Sequence, residues 1–152
     1  MNILIIYKSV HHKNTEKLAQ VLAEQLKADL KQPQEVKAEQ LSSYDIIGFG
    51  SGVFFSQLHQ DLLKLVKYLP ELNKKVFIFS TRGTVVDFFY HSSLKSLLRN
   101  KGAELVGEFS CRGYDTFGLW KFFGGIAKGH PDTKDIKLAI NFAETLKSKL
   151  KV

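Results

Sequence analysis

Ile3-Leu4-Ile5-Ile6-Tyr7-Lys8-Ser9-Val10-His11-His12-Lys13-Asn14-Thr15 is a short apolar strand that runs into a polar loop containing no glycine. Leu18, Leu22 and Leu26 follow at four-residue spacing on one helical face, with Asn14, Thr15 and Glu16 at the start as capping and acidic first-turn residues. A strand, a hydroxyl-bearing loop and a helix N-terminus together make an anion site. The first N–H groups of the helix lack internal acceptors, the helix dipole favours negative charge there, and Ser9 and Thr15 add hydroxyl donors. The geometry suits one phosphate; the alternative is an ordinary capped helix behind a polar loop.

The first glycine is Gly48, which narrows the ligand. A nucleotide P-loop needs glycines around its turn and a Lys-Ser/Thr pair, and a dinucleotide fold needs three glycines in its first strand-to-helix turn. A receiver domain needs an aspartate ending its third strand, where this chain has Gly50-Ser51, and a small tyrosine phosphatase needs a cysteine in the first loop, whereas the one cysteine is Cys111. What remains is a cofactor with a terminal phosphate, held without a metal. The adjacent histidines His11 and His12 show no partner spacing for a metal site.

Beyond the opening unit, strand and helix signals alternate without repeats. Residues 28–34 hold a second strand whose Pro33 fits a sheet edge, residues 45–50 a buried third, residues 76–79 a fourth and residues 104–110 a fifth. Leu58, Leu62, Leu65, Val66 and Leu69 mark a helix stopped by Pro70; residues 88–98 and 136–150 mark two more. The expectation is an α/β fold, a doubly wound five-stranded parallel sheet of order 2-1-3-4-5, in one domain spanning residues 1–152. Its ligand crevice opens between the first and third strands at their carboxyl ends. Three loops meet there: Ser9 to Thr15, Ser51-Gly52-Val53-Phe54-Phe55 and Ser80-Thr81-Arg82-Gly83-Thr84. The spacing Gly48-x-Gly50-x-Gly52 reads as close backbone approach to a flat ligand, or equally as a twisted strand end.

These loops, in this order, resemble those of the flavodoxin family over residues 1 to about 150. The resemblance implies noncovalently bound flavin mononucleotide (FMN) and single-electron transfer through a flavin semiquinone. Carried over by position, Ser9, His11, His12, Lys13, Asn14 and Thr15 surround the phosphate. Ser80 and Thr81 reach the ribityl chain, while Ser51, Gly52, Val53, Phe54 and Phe55 with Arg82, Gly83 and Thr84 frame the ring. It also implies that a backbone carbonyl within residues 51–53 turns to accept the N5 hydrogen of half-reduced flavin, with Gly52 easing the flip.

Three features depart from the family pattern. Lys13 stands where similar loops carry glycine, so if the position needs a positive φ it stores strain, against which its ammonium adds a point charge to the phosphate. Phe54 and Phe55 replace the usual ring-flanking tryptophan or tyrosine, and two consecutive phenylalanines cannot both face a ring, so one is expected in the core. The chain carries 22 basic and 15 acidic side chains, net +7, where flavodoxins are usually acidic. The expected partners are therefore acidic redox proteins. The lysines lie scattered on helix faces, and no nucleic-acid signature appears.

No apolar run approaches a membrane span, and a lone cysteine suits a reducing cytoplasm, so a cytoplasmic location is expected; the expected oligomeric state is a monomer. Cys111 beside Arg112 reads as a small core thiol, with a lowered pKa as the alternative. His59, His91 and His130 read as surface or helix-end residues. Residues 114–129 carry Phe117, Trp120, Phe122 and Phe123 among glycines with Lys121 and Lys128, either packed beneath their own loop or forming a ring cover or docking patch. An electron carrier is the main reading; the alternative is a small FMN-dependent oxidoreductase acting on a quinone or porphyrinogen.

Overall fold

The computed structural model describes residues 1–10, 12–84, 89–116 and 118–151, with the backbone alone for Gly118, Leu119 and Trp120. In chain order the strands are β1 (Ile3–Lys8), β2 (Asp29–Lys31), β3 (Ile46–Phe54), β4 (Gln57–Leu58), β5 (Lys75–Arg82) and β6 (Glu104–Arg112). The α-helices are α1 (Asn14–Leu26), α2 (Gln60–Tyr68), α3 (Ser92–Asn100) and α4 (Thr133–Leu150). Five parallel strands lie in the order β2-β1-β3-β5-β6. That is the expected doubly wound order, with β4 added as a two-residue antiparallel return on the end of β3, Val53 facing Leu58 and Phe54 facing Gln57.

Alternation along the strands fills two cores, one on each face of the sheet. Ile3, Ile5, Phe77 and Phe79 pack under α1 and α4 with Leu18, Leu22, Ala139 and Ala143. Leu4, Ile6, Ile47, Phe49 and Ile78 pack under α2 and α3 with Leu62, Val66, Leu94 and Leu98. Burial on both faces is why the strands read as continuous apolar runs.

Several boundaries differ from the sequence expectation, for local reasons. The second strand ends at Lys31, because Pro33 opens a 3₁₀ turn (Pro33–Glu35), a position its fixed φ and missing N–H suit. β3 runs on to Phe54, since Ser51 and Gly52 still pair with Ser80 and Thr81 of β5. The expected second loop is therefore mostly strand, and its turn falls at Phe55 and Ser56, with φ of 48° and 61°. α3 begins at Ser92; Phe88, its expected first residue, lies outside the described residues. α4 begins three residues before the expected Ile136, because Asp132 caps Lys134 and Asp135 while the Asp135 carboxylate accepts the Asp132 N–H.

The glycine run has a steric cause within the sheet. A Cβ at Gly48 would lie 2.2 Å from the Phe77 ring, and one at Gly50 2.1 Å from the Phe79 ring, each ring belonging to the residue paired with it across the sheet. At these two positions the close neighbour is a phenylalanine and not a flat ligand. Gly52, where an added Cβ would meet the Phe54 ring at 3.1 Å and Thr15 Oγ1 at 3.8 Å, faces the crevice.

Candidate cofactor cleft

The loop after β1 closes onto α1 through two left-handed residues, His12 (φ 51°) and Lys13 (φ 54°). Lys13, not Asn14, is the N-cap, and its side chain makes no cap hydrogen bond. Asn14 is the first helical residue, and its side-chain amide donates to the Tyr114 carbonyl at 2.7 Å. The first-turn N–H groups of α1 thus lack a side-chain acceptor from the N-cap, which is the arrangement an anion exploits. Left-handed backbone costs a side-chain-bearing residue about 1–2 kcal/mol. Lys13→Gly should therefore stabilise the apoprotein by about 1 kcal/mol, read as a Tm rise of about 2–4 °C in a thermal scan.

Ser9 supplies a sharper signal. Its hydroxyl is buried and has no hydrogen-bond partner among the described residues. An unsatisfied buried hydroxyl costs about 1–3 kcal/mol, and such groups occur where a ligand completes them.

A cleft opens beside this loop, lined by Val10, Asn14, Thr15, Gly52, Val53, Phe54, Thr81, Arg82, Gly83, Gly113, Tyr114 and Asp115. The Thr15 and Thr81 hydroxyls join its two sides at 2.8 Å. Parallel pairing of Lys8 with Ser51 and of Gly52 with Thr81 aligns the three strand ends, so the loops expected to meet do so. Of the expected residues, Asn14, Thr15, Gly52, Val53, Phe54, Thr81, Arg82 and Gly83 line the cleft.

The remaining expected residues are placed as follows. The Ser51 hydroxyl donates to the Gly52 carbonyl and accepts the His59 N–H. Ser80 is buried and hydrogen-bonds Ser110 and His91, each at 2.9 Å. Arg82 donates from Nε to Ser110 Oγ and from a terminal nitrogen to the Thr84 carbonyl, fixing the guanidinium at the strand end. The Thr84 hydroxyl pairs with the Tyr90 hydroxyl at 3.1 Å. The Lys13 ammonium is exposed and lies 4.0 Å from Glu16. His11 lies outside the described residues.

Neither consecutive phenylalanine is core, contrary to expectation. Phe54 is half-buried with its ring edge-on to His59, and Phe55 is 82% exposed. Val53 and its β4 partner Leu58 pack with the core under α2 and α3, whereas Phe54 lines the cleft and Phe55 sits in the turn between the two strands.

A fourth wall comes from the chain after β6, where Tyr114 and Asp115 open the segment for which a ring cover was one of the expected roles, and Gly113 adds a residue the sequence did not single out. Gly113, Tyr114 and Asp115 follow β6 directly, and a Cβ on Gly113 would press on Asn14 and Thr81. The available signal was position, since this stretch leaves the carboxyl end of a sheet strand. His12 ties the same wall to the first loop, its Nε2 lying 2.8 Å from Thr116 Oγ1 and its ring 4.3 Å from that of Tyr114.

The other histidines sit at helix ends but are not simple surface groups. Burial holds the His59 imidazole below its ordinary pKa, keeping Nδ1 free to accept the Asp61 N–H and cap α2. His91 bridges Ser80 and Glu108 at the start of α3. His130 contacts Asp135 within the α4 cap, whose carboxylates are already engaged by backbone N–H groups. Cys111 is buried, and burial, reinforced by the charges of Asp135 and Asp132, pushes its thiol up to about 12. It is a core thiol. Iodoacetamide at pH 8 should alkylate it about a thousandfold more slowly than a free cysteine, and rapid labelling of the folded protein would contradict this placement.

The sequence profile of the flavodoxin domain family matches residues 4–111. The chain belongs to that family. An uncharacterized protein of Methanocaldococcus jannaschii, MJ0298, is 45% identical over 147 residues, covering 96% of this chain and 98% of that one. Oxidised flavodoxin 2 of Bacillus cereus is 25% identical with a TM-score of 0.74, covering 98% of this chain and 99% of that one. A Streptococcus pneumoniae TIGR4 flavodoxin has the same fold at 18% identity, with a TM-score of 0.71 and coverage of 98% and 99%.

Proposed function

We propose that this protein binds FMN noncovalently and carries single electrons between protein partners. Members of the flavodoxin family bind a flavin, typically FMN, and exchange electrons with redox proteins. The observation that carries the reading to this chain is the buried Ser9 hydroxyl, unpartnered among the described residues, in the loop that leads into the open end of α1. A phosphate there would accept from Ser9 and from first-turn N–H groups, while the exposed Lys13 adds a point charge. Thr15, Thr81 and Gly52 would face the chain that joins phosphate to ring, and Phe54 and Tyr114 would flank the ring plane. Bound flavin supplies the one-electron chemistry, so the protein's part is to hold, orient and electrically surround it.

Arg82 is the cation most firmly held at the cleft. A unit charge about 8 Å away, at an effective dielectric of about 40, favours an added electron by about 1 kcal/mol, or roughly 40 mV. Arg82→Gln should lower the potential of the second electron by about that amount at low salt, and the difference should shrink as salt rises. Potentiometric titration of the FMN-loaded wild type and variant measures it. The same titration tests the function. Two separated one-electron steps are expected; one two-electron step, together with quinone turnover without any partner protein, would assign a self-contained enzyme instead.

A further inference from the structure

We propose that the basic aromatic face carried by residues 121–128 is the docking surface for an acidic electron-transfer protein. The inference rests on the electron-carrier reading and names the partner for that same cleft. Phe122 and Phe123 are 82% and 81% exposed, in a short 3₁₀ turn where neither ring enters a core. Lys121 and Lys128 flank them, both exposed, and residues 117–131 contain no aspartate or glutamate. Two exposed phenyl rings between two ammonium groups have the composition of an interface centre with a charged rim. Their charge selects a partner with carboxylates around an apolar centre.

This face is fastened to the cleft. The Tyr114 hydroxyl donates to the Gly124 carbonyl, and Asp115 and Ile126 exchange both backbone hydrogen bonds. Ile126 and Asp115 pack against Gly83, where an added Cβ would lie within 2.8 Å of each. Tyr114 is in turn held by Asn14 at the start of α1. A protein seated on Phe122 and Phe123 is therefore brought to the wall of the cofactor cleft, as short-range electron transfer requires. An anionic membrane would attract the same side chains, but it holds no reason for placing them on this wall, so the acidic protein is the occupant the geometry favours.

The test uses the FMN-loaded full chain and, as probe, a two-iron ferredoxin of strongly acidic surface, titrated calorimetrically at low and at physiological salt. A complex is expected whose affinity falls with salt. Phe122→Ser/Phe123→Ser should weaken it at least tenfold, and Lys121→Gln/Lys128→Gln should weaken it at low salt and flatten the salt dependence. Carbodiimide should cross-link Lys121 or Lys128 to ferredoxin carboxylates. FMN affinity and Tm should be unchanged in both variants. No complex at low salt, or one indifferent to both double substitutions, overturns the proposal. So does phenylalanine-dependent binding to vesicles of phosphatidylglycerol and phosphatidylcholine with no ferredoxin complex. If the wild type takes up no FMN, the cofactor reading fails instead, and the spectrum of the loaded sample separates the two failures.

Discussion

FMN should bind about a thousandfold or more tightly than riboflavin, which differs only by the phosphate. Hydrogen bonds to a charged group contribute about 1.5–3 kcal/mol each, and the site offers the Ser9 hydroxyl together with open first-turn N–H groups of α1. Two or three such bonds give about 4–5 kcal/mol, which corresponds to a factor of a thousand or more. Ser9→Ala separates the contributions. Removing one charge-assisted bond should weaken FMN about 10- to 100-fold and leave riboflavin nearly untouched. The same substitution should not destabilise the apoprotein, since it removes a buried hydroxyl that has no partner there. A hydroxyl that serves only the fold would give the opposite pair of results, lower Tm and unchanged selectivity. Fluorescence titration with both flavins, paired with thermal unfolding of the apoprotein, reads both quantities.

Gly50→Ala should destabilise the protein by about 3 kcal/mol or more, although it adds one methyl group. The new Cβ would stand 2.1 Å from the ring of Phe79, which is fully buried between neighbouring strands and α1 and α4. Neither ring nor strand can retreat without breaking the packing beneath it. For a domain of this size the Tm should fall by about 6–12 °C. Gly50→Ala/Phe79→Leu should recover part of the loss, because the smaller side chain vacates the contested space. A single variant as stable as wild type would mean that the glycine serves the crevice and not the sheet.

Local rules carried the sequence reading as far as the sheet and the switch-point cleft. Ile3 to Tyr7 and the leucines of α1 fix one strand-helix unit, and the same alternation repeated gives the parallel order, because such units pack in few ways. Long-range geometry explains what was missed. The positive φ of Lys13 was legible from the glycine of similar loops, but its place as N-cap ahead of Asn14 was not: the Asn14 side chain is turned to the Tyr114 carbonyl, and His12 is tied to Thr116. Gly48 and Gly50 look like ligand glycines until β5 is laid beside β3 in register, when Phe77 and Phe79 claim their space. Phe54 lines the cleft and Phe55 occupies the left-handed turn between β3 and β4, a return that pairs only two residues on each side, so neither ring enters a core. The wall at Gly113, Tyr114 and Asp115 carries no motif. Trp120 and Phe117, weighed with the aromatic segment, have side chains outside the described residues, whereas Phe122 and Phe123 stand open to solvent.

Electron carriage by this protein requires a flavin phosphate that meets Ser9 and the start of α1. Adding FMN to flavin-free protein while following flavin fluorescence tests this most directly. The expected result is a shifted emission reaching a sharp end point at about one FMN per chain, with riboflavin reaching none at the same concentrations. Emission that stays that of free FMN, or an end point shared by the two flavins, would contradict it.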